Sequence, residues 1–223
     1  MAGDGERSET PDSVQGAINL GGDADKLAEY YNRWADTYDA DLERYDYAMP
    51  AMIVETLSTA ITMRTELASL ADRSAAVVDA GCGTGLVGKQ LQAAGYENLH
   101  GLDLSAEMIR VAEGLGIYRS LRSGVDLTAT LAPDLVASAD IVTIGGVLTT
   151  GHVPPTAIAN IVRLIRPGWL LVASTRSGYH DLPEFVEVIE RLRTTGVFDL
   201  VHHVADAAYT AYATGDYWAF LVA

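Results

Sequence analysis

The sequence predicts an α/β chain built on an open, doubly wound sheet. Three observations carry that expectation. Short apolar runs alternate with amphipathic helical stretches five times over, a glycine-packed turn follows the first run, and the last two strand-like segments have no helix-length pattern between them. Apolar runs this short, bounded by turn residues, suit parallel strands buried on both faces, joined by right-handed crossovers. The closing pair, "FDLVHHV" and "DYWAFLVA", reads as neighbouring antiparallel strands. The expected sheet is therefore mostly parallel and seven-stranded, with an antiparallel last strand.

Taken in order, residues 1–23 are rich in Gly, Ser, Asp and Glu without a sustained period, which predicts a disordered acidic tail with no functional role. From Ala24, "ADKLAEYYNRWADTYDADLERYDYAMPAMIVETLSTAI" predicts helices broken ahead of Pro50, because the residue before a proline avoids the helical region. Tyr31, Trp34 and Tyr38 fall at spacings of three and four there, on one helix face. Strands are expected at 75–80, 98–103, 118–123, 139–144 and 169–175. Between them, "LVGKQLQAA" is a helix stopped by Gly95, and "LPEFVEVIERLRTT" one stopped by Gly196. The latter has Asp181 and Glu184 at capping-box spacing and presents Phe185, Val188, Ile189 and Leu192 on one face.

A chain of 223 residues suits one domain, and 49% hydrophobic residues supply its core. Fifteen Lys and Arg against thirty Asp and Glu leave a formal charge of −15, a field that repels polyanions, so nucleic acid is not an expected partner. No apolar run approaches the roughly 20 residues of a membrane span, and the first residues have no basic start or apolar stretch of signal type. A cytoplasmic protein is expected, with no membrane partner. The single cysteine, Cys82, excludes an internal disulfide and a cysteine-rich zinc site. His202 and His203 are consecutive on a strand and point to opposite faces, one expected in the core and one in solvent. With no carboxylate and histidine cluster at ligand spacing, no metal site is expected.

"VVDAGCGTGLVGKQL" puts Gly81, Gly83 and Gly85 directly after the first strand, where an open sheet binds its ligand. Glycines there permit positive φ and let bare main chain touch a ligand. A tight turn with no ligand explains the glycines alone equally simply, but the neighbourhood argues for one. The spacing is G-x-G-x-G, with Asp79 two residues ahead, where a carboxylate repels a pyrophosphate and attracts an ammonium group. A nicotinamide-dependent oxidoreductase is disfavoured on both counts. Asp103 ends the second strand, 24 residues after Asp79, placed to accept both hydroxyls of a ribose. A nucleoside carrying an amino acid satisfies both acids.

"VVDAGCGTG" followed by "GLDLSAEMIRVA" resembles the first two motifs of class I S-adenosylmethionine-dependent methyltransferases. "YNRWADTYDADL", "ADIVTIGGVLTTGHVPP" and "IRPGWLLVASTRSG" are similar to the methyltransferase-like proteins of the Williams–Beuren syndrome chromosome region, and the likeness covers almost the whole chain after the tail. The resemblance implies a Rossmann-like methyltransferase domain over 24–223, with a helical lid at 24–70 and the core at 71–223. It also implies S-adenosylmethionine as cofactor and S-adenosylhomocysteine as product. Carried onto this chain, it runs Gly81, Gly83 and Gly85 beneath the methionyl part with Asp79 near its amino group. It gives the ribose hydroxyls to Asp103, sets Leu104 and Met108 against adenine, and has Asp126 and the Leu127 amide read the adenine edge. Gly145 then lets the fourth strand approach the methionyl group, and Tyr31, Trp34 and Tyr38 close the lid. Met108 and the three aromatic residues serve equally well as packed core.

The sulfonium makes the transferred methyl electrophilic, so alignment of an acceptor in line with the S–CH₃ bond is the main task of the protein. An acceptor that carries a proton also needs a base, and His152, in the loop after the fourth strand, is the candidate. A structural hydrogen bond to the loop backbone is its other reading. Arg176, Tyr179 and His180 follow the fifth strand at the same edge, in reach of a polar or carboxylated substrate, with a surface ion pair the equal alternative for Arg176. The expected reaction is metal-independent methyl transfer to an O, N or C nucleophile of a small molecule by a monomer or homodimer. A non-catalytic S-adenosylmethionine-binding sensor or partner subunit remains the second reading.

Overall fold

The computed structural model describes residues 12–223. The part of the expected tail within 1–11 lies outside them. Seven strands form one sheet in the order β3-β2-β1-β4-β5-β7-β6, with β1 at Val77–Ala80, β2 at Leu99–Leu102, β3 at Ser120–Arg122, β4 at Ala139–Leu148, β5 at Ile165–Arg176, β6 at Phe198–Thr210 and β7 at Ala213–Val222. The strands from β1 to β5 pair in parallel, whereas β7 runs antiparallel to both β5 and β6. The strand order reverses between β1 and β4, the place where an open sheet leaves a crevice beyond its carboxyl edge.

Each face of the sheet is covered by helices, as alternation in the strands requires. Val77, Ile141, Leu170 and Val172 point toward α4 (Met49–Met63) and α5 (Leu86–Ala93), joining a core with Ile53, Leu57 and Leu91. Val78, Val142, Ile144 and Leu171 point the other way, toward α7 (Ile158–Ile161) and α8 (Pro183–Thr194), against Phe185 and Val188. Fully burying one such aliphatic side chain is worth about 1.5–3 kcal/mol, so both layers hold the crevice rigidly in place. On α8, Ile189 packs at the margin of this core instead of within it. The expected capping box does not form, because the N-cap falls on Leu182 and Pro183 opens the helix.

Ahead of the sheet lie α1 (Asp12–Ile18), α2 (Ala24–Trp34) and α3 (Tyr38–Glu43), while α6 (Ala106–Glu113) follows β2. The break before Pro50 is present, with Pro50 in the first turn of α4. The tail expectation fails from Asp12 onward. α1 is helical, and the Gly22 amide donates to the Gly151 carbonyl at 2.7 Å, which fastens residues assigned to the tail onto the loop after β4. Asp23 caps α2 through the Lys26 amide. Neither His202 nor His203 is buried; His203 stacks on Trp218 and bonds Asp216 at 2.7 Å.

Candidate active site

The turn after β1 takes its shape from backbone that only glycine adopts cheaply: Gly81, Gly83 and Gly85 have φ of +72°, +55° and +94°. Their surroundings differ. A Cβ on Gly83 meets nothing within 4 Å and opens onto the crevice, whereas one on Gly81 strikes Val147 and one on Gly85 strikes Leu115 and Tyr118. Gly85 is thus a packing glycine and does not line the cleft, while the other two do.

Asp103 sits at the centre. Its carboxylate accepts the Gly83 and Ser105 amides, both at 2.8 Å, so one side chain ties the turn after β1 to the cap of α6. Burial raises its pKa, and the amides of Ser105, Gly83 and Leu104 oppose the rise. A carboxylate has about four lone-pair sites, so these amides leave acceptor capacity at the cleft that Asp103 lines. Leu104 and Met108 form an apolar wall beside it, although Met108 is only 1% exposed and belongs equally to the helix core. Asp126 and Leu127 close the far end; the Asp126 carboxylate accepts the Thr128 amide at 2.8 Å, a local turn that fixes the segment. Gly145, Tyr31 and Tyr38 complete a cleft of about 790 Å³ including its mouth.

Besides Gly85, two residues expected at the cofactor, Asp79 and Trp34, do not line this cleft. Asp79 is 1% exposed and absent from the cleft wall; its oxygens accept the hydroxyls of Tyr118 at 2.8 Å and Thr143 at 3.0 Å. Burial pushes this carboxyl up to about 6, against the pull of those two donors. Trp34 donates through Nε1 to Asp41 at 2.8 Å and faces the neighbouring cleft instead. Tyr118 lies ahead of the third strand, which starts at Ser120 and not at residue 118 as the apolar pattern predicts. The clue to its role was Gly88 inside α5, where a Cβ would stand 2.1 Å from the Tyr118 hydroxyl. Tyr118→Phe strips a donor from a buried carboxyl, so we expect about 1–3 kcal/mol of lost stability in a urea titration; an unmoved midpoint would show that Thr143 alone satisfies Asp79.

The N-terminal helices are fastened to the rim of the cleft by polar contacts at three places. Asn32 on α2 accepts the Ser105 hydroxyl at 2.7 Å and the Glu107 amide at 3.2 Å, at the start of α6. Asp39 on α3 receives the Thr84 hydroxyl of the glycine turn and, at 2.9 Å, the Lys89 ammonium. Tyr31 meets His152 with 2.6 Å between hydroxyl and Nε2. Asn32 and Asp39 lie within the stretch "YNRWADTYDADL", but nothing in their spacing names their partners across the rim.

His152 borders both clefts. Its Nδ1 lies 3.4 Å from the Thr150 carbonyl, which can only accept, so Nδ1 carries the proton and Nε2 accepts from Tyr31. Burial pushes the imidazole down to about 4; the Thr150 carbonyl opposes this and the Arg176 charge reinforces it. Burial also holds the Tyr31 phenol well above its usual range, so it remains a donor.

The second cleft is smaller, about 450 Å³ with its mouth, and shares Tyr31, Tyr38, Gly146 and His152 with the first. Sequence reasoning singled out Arg176 here but missed Tyr47, Tyr209 and Tyr212. These come from the segment before α4 and from the β6–β7 hairpin, joined by Ala48 N–H to Tyr209 C=O at 3.0 Å and Ala211 N–H to Tyr45 C=O at 2.7 Å. Val14 and Ala17 of α1 also line it, a second correction to the tail. Tyr179 is not part of it, since its hydroxyl donates to the Val153 carbonyl at 2.7 Å in the core; His180 lies beside Asp216.

Among the described residues no helix is long and apolar enough to cross a membrane, and no group of three or more His, Cys, Asp and Glu side chains is arranged to hold a metal ion. Residues 78–173 match the family model of the methyltransferase domain. Human methyltransferase-like protein 27 is 34% identical over 193 residues, covering 84% of this chain and 74% of that protein. A ubiquinone biosynthesis O-methyltransferase of Xanthomonas euvesicatoria is 35% identical over 160 residues, with 68% of this chain and 59% of that enzyme's length covered. Among solved structures, a TehB-like S-adenosylmethionine-dependent methyltransferase of Corynebacterium glutamicum shares the fold at a TM-score of 0.57 and 21% identity, over 87% of this chain and 97% of that one. The bare turn at Gly83 and the half-satisfied carboxylate of Asp103 fit the donor that such enzymes use, and the chain belongs to the class I S-adenosylmethionine-dependent methyltransferases.

Proposed function

We propose that this methyltransferase alkylates an O, N or C nucleophile of a small molecule by in-line displacement, without a metal ion. The observation that carries this reading is the pair of contiguous clefts that meet at Tyr31, Tyr38, Gly146 and His152, of which the first would take the nucleoside and the second the acceptor. The O-methyltransferase named among its relatives supports a small acceptor. Bound S-adenosylmethionine supplies a methyl already activated by its sulfonium, so no Lewis acid is required.

The work of the chain is then positioning and proton removal. Asp103 and Gly83 hold the nucleoside end, Asp126 and Leu127 the adenine edge, and the lid excludes water. For an acceptor that carries a proton, that proton passes to the Tyr31 oxygen as Tyr31 gives its own to Nε2 of His152. His152 becomes cationic in the step in which the donor loses its charge, which offsets the desolvation that keeps the resting ring near 4.

The test is release of S-adenosylhomocysteine when purified protein and S-adenosylmethionine meet fractionated metabolite extract. Turnover confined to a low-molecular-mass fraction is the expected result. Turnover only with the protein fraction makes a protein side chain the acceptor, and none in any fraction returns the chain to the non-catalytic reading.

A further inference from the structure

The first helix takes no part in the chemistry above, yet the segment that carries it stands at both clefts. We infer that α1 is a movable wall of the second cleft, and that a nucleoside in the first cleft seats it through Gly22. Occupancy of the cofactor cleft thereby completes the acceptor cleft. This rests on the methyl-transfer reading of the same site.

Position comes first. Val14 and Ala17 of α1 line the second cleft together with Tyr31 and Trp34, and Ala17 is only 1% exposed. Further along the same segment, Gly22, Ala24 and Leu27 line the first cleft. A displacement of α1 therefore changes both cavities, and the room left for an acceptor depends on where Val14 and Ala17 stand.

The seat is built from bare backbone. Gly22, at φ +79°, donates its amide to the Gly151 carbonyl at 2.7 Å, and a Cβ on Gly22 would stand 2.8 Å from the His152 carbonyl. Gly151, at φ +83°, admits the Ile18 carbonyl so closely that a Cβ there would run into it. These two glycines let the end of α1 lie main chain against main chain on the loop that carries His152. Within the helix, a Cβ on Gly16 would come within 2.5 Å of the Tyr30 hydroxyl on α2.

The seat is also reversible. α1 has seven residues, fewer than the roughly 12–15 at which an isolated helix holds in water, so its helicity depends on docking. Gln15 and Asn19 bond each other on its exposed side at 3.1 Å, and the backbone bonds from Asn19 to Gln15 and from Leu20 to Ala17 are local. Gly21, at φ +66°, and Gly22 then form a hinge ahead of α2. α2 itself is tied down through Asn32 and Tyr31. A short element held in this way opens locally, at far lower cost than the whole fold.

A ligand shifts such an equilibrium only by contacting one state better than the other. With α1 seated, Gly22 belongs to the wall of the first cleft and is bonded to Gly151, beside the histidine at which the clefts meet; with α1 lifted, that piece of wall is lost. The nucleoside favours the seated state, an acceptor touching Val14 and Ala17 favours it too, and the two bind with positive coupling.

The test uses a thiol as reporter. Ala17→Cys puts a sulfur on the buried side of α1, and dithionitrobenzoate reaches it only when α1 lifts. Cys82, 6% exposed and already present in wild-type protein, reports opening of the whole fold. Without ligand, the introduced thiol should react faster than Cys82. Saturating S-adenosylhomocysteine should slow it by about 5-fold or more, the low end of ordinary coupling between sites. An introduced thiol no faster than Cys82, or a rate that the ligand leaves unchanged, would overturn the assignment. Should Ala17→Cys not fold, amide hydrogen exchange on wild-type protein decides: S-adenosylhomocysteine should slow exchange across residues 14–22, and unchanged exchange there counts against the movable wall. Calorimetry with S-adenosylhomocysteine alone comes first. No binding at that step removes the methyl-transfer reading itself, whereas binding without protection of α1 removes only this inference.

Discussion

Asp103→Ala weakens S-adenosylmethionine binding by about 1–3 kcal/mol, roughly 5- to 150-fold in Kd, through lost charge-assisted hydrogen bonds. Two effects combine in that expectation. The carboxylate withdraws from the cofactor cleft, and the amides of Gly83 and Ser105, which it accepts at 2.8 Å, lose the partner that holds the turn after β1 against α6. Asp103→Asn separates them, because an amide oxygen can keep one of the two contacts but its NH₂ cannot accept the other. The asparagine variant should therefore fall between alanine and wild type in titration calorimetry with S-adenosylhomocysteine. Equal affinity for all three proteins would remove Asp103 from the cofactor site.

What could be read ahead of the structure is what depends on neighbours in the chain. The turn at Gly81–Gly85 and the acid at the end of β2 announce themselves because strand, turn and helix are consecutive, and the crevice lies where the fold class puts it. Asp79 shows the limit. Its position in the motif suited a ligand of the cofactor, yet its environment is decided by Thr143, its register partner on β4, and by Tyr118, nearly forty residues away. The internal glycine of α5 was the visible trace of that tyrosine, since a helix tolerates such a residue at a cost and some close approach has to justify it. α1 was missed because a single short helix with a glycine at its centre has little periodicity. Its stability comes from tertiary contact, such as the packing of Gly16 against Tyr30 and the Gly22 to Gly151 hydrogen bond.

The second cleft is almost wholly illegible in the sequence for the same reason. Its wall draws on α1, α2, α3, the segment before α4, β4, β5 and the β6–β7 hairpin, and no local pattern links Tyr47 to Tyr209 or Tyr212. Arg176 could be placed at the edge of the sheet because β5 could be drawn. Which of its neighbours share a cavity follows only from how the hairpin folds back over residues 45–48. Tyr179 and His180, equally close in sequence, turn into the core and toward Asp216.

His152→Ala should lower kcat by about 10²–10⁴-fold with little change in cofactor affinity, the range for loss of a positioned base. Tyr31→Phe should approach the same loss if the two act as one relay, and the double variant should then be no worse than the more severe single one. A structural histidine predicts otherwise: near-wild-type kcat in both variants, with the effect confined to KM. The pH dependence gives an independent readout. The folded imidazole titrates near 4 and the free one near 6.5, so the unfolded chain binds the extra proton between these values. The contribution of His152 is thus fully present above about pH 6.5 and is lost as pH falls toward 4. Asp79, raised to about 6 from 3.8, works in the opposite sense, favouring the folded state as pH falls through 6. In wild-type protein the two offset each other over roughly pH 4–6. Removing His152 exposes the second, so thermal unfolding of His152→Ala should show stability improving relative to wild type on acidification through that window. A constant difference between the two proteins from pH 7 to pH 4 would mean that burial does not depress the titration of the imidazole.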